Sequence, residues 1–355
     1  MLTVEGHRQP IVSSAMFRRL AAAALIVAVA AALLVAVWPQ LLGLQTTIVV
    51  AQVVSLRGLV ALAAAGLLLL VAVPTLASRR FRRLGAALCV LLLVFVGASA
   101  AVLATRGFGP ARGEQPDSDK AAGPLTVLAW NTLGDAPGSA IIAELAIDEG
   151  ADVLSLPETS EETAREVAAA MTDAGLPMSV LTVAFNRIAT AKSTSLLVSD
   201  ALGDYSIDEG RGTTSVVPSV VATPDDGSGP LLVAAHPVAP IPGYLDEWRR
   251  DLEWLAGVCD DPDVVMAGDL NSTIDHYGPP SRSAATLGGC ADAALASGSA
   301  AVGTWPTWLP AVLGAPIDHV MATPNWRATS FRVVQDLDSA GSDHRPVIAT
   351  LEPLG

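Results

Sequence analysis

The stretch DVVMAGDLNST, residues 263–273, joins an unbroken aliphatic run to an acid, an amide and two hydroxyl side chains. Val264, Val265 and Met266 leave no polar face, so the run reads as a strand covered on both sides, with Asp269 at its end. Working outward, the same kind of run recurs as LTVLAW at 125–130, DVLSL at 152–156, STSLLVS at 193–199, SVVPSVVA at 215–222, LLVAAH at 231–236, IDHVMA at 317–322 and PVIATL at 346–351. Helical stretches fall between some of them. One covers Ser139 to Glu149, one enters through Thr159 with Glu162 as a capping box and stops at Gly175, and one runs from Asp246 to Val258. The expected fold for residues 124–355 is therefore an α/β domain of two packed β-sheets covered by helices.

The first third of the chain is chemically different. From Met1 to Arg106 there are nine arginines, no lysine and one acid, Glu5; from Gly107 onward 12 basic residues face 34 acids, a net charge of −22 within the −14 of the whole. Residues 20–38, 58–77 and 84–104 carry no charge, and each is about long enough to cross ~30 Å of hydrocarbon as a helix. They predict a membrane anchor of three N-terminal transmembrane helices over residues 1–106. Arg18 and Arg19 precede the first span, and Arg79, Arg80, Arg82 and Arg83 fill the turn between the second and third. Arginine-rich flanks stay in the cytoplasm. The N-terminus is then cytoplasmic and the C-terminal domain extracellular on a multi-pass cell-membrane protein, with only Arg57 left on the wrong side of the first loop. Residues 41–56 are apolar but interrupted by polar residues, and are expected as an interfacial loop; a fourth span there would reverse the orientation. Residues 107–123 are rich in Gly, Pro and charge and read as a flexible linker.

Residues able to bind metal or move protons stand at or near the ends of the apolar runs: Asn131, Glu158, His236, Asp269 with Asn271, Asp318, and Asp343 with His344. Such oxygen donors suit a hard divalent ion. An aspartate beside a histidine fixes one imidazole tautomer and raises its basicity. Asp275 and His276, just beyond GDLNST, read as loop residues rather than ligands. Cys259 and Cys290 lie in the exported part, where oxidation is possible; a disulfide between them is expected, two separate buried thiols being the alternative. Cys89 lies within the third span.

The words LAWNTL, DVLSLPE, VAAHPVAP, AGDLNST, PIDHV and SDHRPV, in this order beside strands, resemble the motifs of the endonuclease/exonuclease/phosphatase superfamily over residues 125–351. GTWPTW at 303–308 resembles a segment of its bacterial membrane-anchored members; Trp305 and Trp308 are candidates for a substrate rim, with core packing expected of at least one. The resemblance implies a four-layer α/β sandwich and metal-dependent hydrolysis of phosphate esters with Mg²⁺, or Mn²⁺ or Ca²⁺. It implies Glu158 as principal metal ligand, flanked by Asn131 and Asp343. Asp269 would activate water, Asn271 would hold phosphate or that aspartate, and Asp318 would fix His344 on a phosphoryl oxygen. His236 would protonate the leaving oxygen or contact phosphate. The chain departs from the pattern in three places: Pro157 replaces a glutamine before Glu158, Ala315-Pro316-Ile317 replaces an arginine-containing segment before Asp318, and Asp200 stands where many members have arginine.

These departures remove cations that would bind a polyanion, and a −22 domain repels DNA, whose binding depends on Lys and Arg displacing counterions. The expected substrate is thus a phosphodiester or phosphomonoester, a lipid headgroup or a small ester, with exported nuclease action as the alternative. A non-catalytic binding module on the same fold is the second alternative, although every acid and histidine position is filled. A channel is disfavoured because the spans lack internal charges.

Overall fold

The structure, a computed structural model, describes residues 14–109, 123–186, 188–277 and 286–354. Three apolar helices, α1 (Ser14–Val37), α3 (Arg57–Ala77) and α4 (Arg82–Arg106), are long and apolar enough to cross a membrane. The connection between α1 and α3 contains only a 3-10 turn, Pro39–Leu42, and α2 (Val50–Ser55). Six residues of helix rise ~9 Å, so α2 is no fourth span.

Two mixed sheets follow. The first has six strands: β1 (Leu125–Ala129), β2 (Val153–Pro157), β3 (Met178–Ala184), β4 (Ser193–Ser199), β12 (Trp326–Val333) and β13 (Val347–Pro353), in the order β12-β13-β1-β2-β4-β3. The second has seven: β5 (Tyr205–Ile207), β6 (Val220–Pro224), β7 (Leu231–Ala235), β8 (Val264–Asp269), β9 (Thr286–Leu287), β10 (Cys290–Asp292) and β11 (Asp318–Ala322), in the order β5-β6-β7-β8-β11-β10-β9. In the first sheet Val127, Ala129, Val153, Leu196 and Val198 point inward and share one core with Leu232, Val265 and other residues of the second. Their alternates Leu128, Trp130, Leu154 and Leu156 face α5 (Gly138–Asp148) and α6 (Glu161–Asp173), which bury Ile142, Ala146, Val167 and Met171. The other outer face is covered by α7 (Leu245–Val258), which buries Trp248, Leu252 and Leu255, while the short α8 (Ala293–Ala296) lies beside β11 and β12. The central strands of both sheets are buried on two faces, hence their aliphatic sequence.

The cap of α6 is Ser160, whose hydroxyl accepts from the Thr163 amide, rather than the expected Thr159. Thr159 is buried against the Thr132 hydroxyl at 2.9 Å. In SVVPSVVA only Val220 to Ala222 join a strand. Gly268 has φ +144°, and a β-carbon there would lie 2.1 Å from the Ala235 carbonyl oxygen, so only glycine lets β7 and β8 approach this closely before Asp269.

Cys259, just after α7, is joined to Cys290 of β10 with Cα atoms 5.4 Å apart. The linker region is described only in part: residues 110–122 lie outside the described residues. Arg106 and Gly107 are paired to the domain instead, their carbonyls accepting from the Ala300 and Ala301 amides at 3.1 and 3.0 Å.

Candidate active site

Asn131 follows β1, and its amide nitrogen bridges two carboxylates, donating at 3.0 Å to Glu158 Oε1 and at 3.0 Å to Asp269 Oδ2. Its amide oxygen accepts from the Leu133 amide at 3.0 Å. The residue thus aligns the two carboxylates, while its amide oxygen keeps a second lone pair. Glu158 follows β2 with φ +57° and Asn271 follows Asp269 with φ +45°. Both are left-handed conformations that non-glycine residues rarely adopt and that cluster at functional sites. Asn271 donates to Asp269 Oδ1 through its backbone at 2.8 Å, and its side chain donates to the Pro237 carbonyl at 3.0 Å.

β8 and β11 are antiparallel neighbours, which sets Asp269 directly across from Asp318. His344 sits against both. Its Nδ1 donates to Asp318 at 2.9 Å, and its Nε2 lies 3.7 Å from Asp269 Oδ2. Burial alone would lower the basicity of His344, but Asp318 and Asp269 outweigh it and hold the imidazole at about 10. Burial pushes the Asp269 carboxyl up to about 7, with Asp318 adding to the rise and His344 opposing it. His236, buried with no carboxylate at hydrogen-bond distance, is driven down to about 3 by burial and by His344. Its Nε2 is 3.8 Å from Glu158 Oε1. The Glu158 carboxyl is raised by burial, with Asp343 adding to the rise and Asn131 and His344 opposing it.

His319 takes no part in orienting His344. It is bound to Asp292 and to the Ser272 carbonyl, at 2.5 and 2.9 Å. Asp275 is salt-bridged to Arg57 and Arg106 at 3.0 and 2.6 Å. Trp305 donates from its indole to Asp343 Oδ2 at 2.9 Å, which makes it a support for that acid rather than an open rim. Trp308 is exposed.

Several supporting residues have no signal in the sequence. The Trp130 indole donates to the His344 carbonyl at 2.9 Å, and the Ser342 hydroxyl donates to the Asn131 carbonyl at 2.6 Å while accepting from the His344 amide. Arg345 is buried and ties Asp338 to the Gly303, Thr307 and Leu309 carbonyls, fixing the loop that carries Trp305. Ser342 and Arg345 flank Asp343 and His344 within SDHRPV, the nearest thing to a clue.

A divalent ion fits this site. Asp343 Oδ1 is buried without a hydrogen-bond donor, and its carboxylate stands near enough to Glu158 to repel it. Two hard oxygen groups with one orphaned atom between them suit a cation. A second cluster, Asp269, Asp318 and His344, also has ligand atoms within 4.8 Å of one another. There, however, Asp318 and His344 already satisfy each other, so that group reads as a histidine–carboxylate pair and the Glu158–Asp343 side as the better metal position.

Two packed mixed sheets, with carboxylates and imidazoles gathered at one end of their strands, define a phosphate-ester hydrolase class of site. Residues 128–344 match the model of the Endonuclease/Exonuclease/phosphatase family, and the chain belongs to that family of metal-dependent phosphoesterases and nucleases. Similar solved structures include humanized D. rerio TDP2, at 16% identity over 64% of this chain and 98% of that one, with a TM-score of 0.49. An endonuclease/exonuclease/phosphatase from Beutenbergia cavernae is 20% identical over 66% of this chain and 72% of that one, TM-score 0.47. The 3'-5' exonuclease from Neisseria meningitidis is 18% identical over 63% and 98%, TM-score 0.48. Among curated proteins none matches.

Proposed function

We propose that the chain is a membrane-anchored hydrolase of phosphodiesters or phosphomonoesters that works at the outer face of the membrane. The observation that carries the chemistry is the imidazole of His344 held between Asp318 and Asp269. With its basicity raised to about 10, His344 is a cation at neutral pH, aimed to offset charge on a phosphoryl oxygen. Asp269, poised at about 7, accepts the proton of the attacking water. Asn131 and Asn271 hold that carboxylate in register. His236, pushed down to about 3 by burial and by His344, is neutral in the free site and contacts the ester through hydrogen bonding. Glu158 and Asp343 would hold the divalent ion, Mg²⁺ by its preference for oxygen donors, and the ion would supply further charge neutralisation at the phosphate.

The location follows from the arginine asymmetry, which leaves residues 1–106 as anchor with a cytoplasmic N-terminus and residues 124–355 as the exported catalytic domain. Arg57, the charge left on the wrong side of the first loop, has a buried partner in Asp275. The deciding experiment uses the full chain in detergent with bis(p-nitrophenyl) phosphate and p-nitrophenyl phosphate, with Mg²⁺ or with chelator. Metal-dependent release is expected, lowered ~10²–10⁴-fold in Asp269→Asn. Release that persists in chelator, or an Asp269→Asn variant at the normal rate, would refute the reading.

A further inference from the structure

The outer ends of all three apolar helices converge on the domain. Arg57 at the start of α3 reaches the Val37 carbonyl at the end of α1 at 3.3 Å, and its guanidinium pairs with Asp275 together with Arg106, which closes α4. Arg106 binds both Asp275 oxygens, at 2.9 and 2.6 Å, and all three side chains are nearly sealed from solvent. Opposite charges at such distances under burial make a specific joint, because separating them would strand charge in low dielectric.

Three loops of the domain meet the anchor, and each adjoins a site residue. After β7 and His236, the Pro240 carbonyl accepts from Gln52, while Arg249 at the start of α7 donates to the Thr46 carbonyl at 2.9 and 2.6 Å. After β8 and Asp269 come Asp275, whose carbonyl accepts from Gln40 at 2.7 Å, and His276, which donates to the Ala51 carbonyl at 3.2 Å. Before β11 and Asp318, the Val312 carbonyl oxygen sits only 2.2 Å from where a β-carbon on Gly58 would be. The opposite end of β8, ~17–20 Å away, is where Asp261 and Asp263 lie, with Asp226 close enough to act on the same Tyr205 as Asp263.

We infer that the catalytic end of the sandwich is pressed against the outer leaflet, and that its rim loop, residues 305–313, is a lipid-contacting surface. Trp308 is 76% exposed and Val312 53% exposed, on a loop whose start supports Asp343 and whose end abuts Gly58, the second residue of an apolar span. Trp38, Leu41, Leu42 and Val49 are exposed on the neighbouring connection. Tryptophan and aliphatic side chains at the level where spans leave the hydrocarbon suit the headgroup boundary, since each ring or chain is half relieved of water there. The partner is the phospholipid surface itself, because this rim is continuous with a helix that already lies in it. The inference rests on the proposed anchoring and orientation but not on the proposed chemistry. Its consequence for that chemistry is that esters carried in the same leaflet meet the site first.

The test uses full-length protein carrying Cys89→Ser and Val312→Cys, labelled with an environment-sensitive dye and reconstituted in dioleoylphosphatidylcholine vesicles containing lipid nitroxides. The same label at Asp226→Cys marks the far end, and Pro310→Cys serves as a second rim position. Several-fold stronger quenching at 312 and 310 than at 226 is expected. Equal quenching at both ends would overturn the inference. So would a rim dye shielded from aqueous iodide yet untouched by lipid nitroxides, which would mean that protein covers it. No turnover enters this readout, so inactivity toward every ester would leave it standing.

Discussion

Replacing Asp318 with asparagine should move the ionisation of His344 by several units, and the site contains its own reference for how far. His236 and His344 are both buried imidazoles of the same cleft, yet one sits at about 3 and the other at about 10. The gap comes first from Asp318 and Asp269 beside His344, with Asp343 adding to it and the charge on His344 lowering His236. Asparagine keeps the shape and one acceptor oxygen but removes the nearer charge. In the native chain, protonated His344 persists until pH rises through about 10, and ionised Asp269 appears as pH rises through about 7, so activity should hold a plateau between these values. In Asp318→Asn the basic limb moves toward acid. Were His344 to fall to the level of His236, only ~1 in 10⁴ rings would be charged at pH 7, and the rate would fall in proportion. The assay is a pH–rate profile from pH 5 to 10 on a soluble chromogenic phosphodiester, with the His344 ring followed by carbon NMR. A normal rate at pH 7 with an unmoved basic limb would refute the charge-pairing account.

Further outcomes follow from other parts of the structure. Glu158→Gln should lose divalent-ion-dependent turnover by at least ~10²-fold while circular dichroism stays native; an active variant would move the metal position elsewhere. Because Asp318 and His344 act as one unit, their double alanine variant should be scarcely slower than His344→Ala, and strictly additive losses in log rate would contradict that. Replacing Cys290 with serine opens a bridge of sequence separation 31 and should cost roughly 3 kcal/mol, read as a lowered thermal midpoint; an unchanged midpoint would show the bridge to be inert. Trypsin added to intact spheroplasts should cut at Arg112 or Lys120 and release the domain only when the salt-bridged seat is also disrupted, whereas protection of these sites until lysis would reverse the proposed orientation.

The strands that build the site were readable because their environment writes itself into composition: a run such as Val264–Met266 is apolar on both faces only if both are covered. β12 was not, since its residues alternate at a sheet edge, with Arg327 and Thr329 exposed or nearly so. β9 and β10 are two and three residues long and carry no period at all. The site residues were visible as acids and histidines after apolar runs, but not their division of labour. Nothing in LAWNTL tells that the Asn131 oxygen is held by Leu133, nor in GTWPTW that the Trp305 indole reaches Asp343. Such partners are fixed by tertiary placement. The joint at Asp275 left one trace in the sequence, the arginine at 57 that did not fit the charge asymmetry.

Arg57 and Asp275 also have a history in time. They are separated by 218 positions (275 minus 57), which at ~5–20 residues per second is roughly 10–40 s of synthesis. In the proposed orientation, the arginine would stand at a helix end without Asp275 throughout that interval, while α3 and then α4 entered the bilayer. The orientation of the first hairpin would then be settled by the other arginines, against the pull of this one. The pairing with Asp275 would come afterwards, as a lock on a decision already taken.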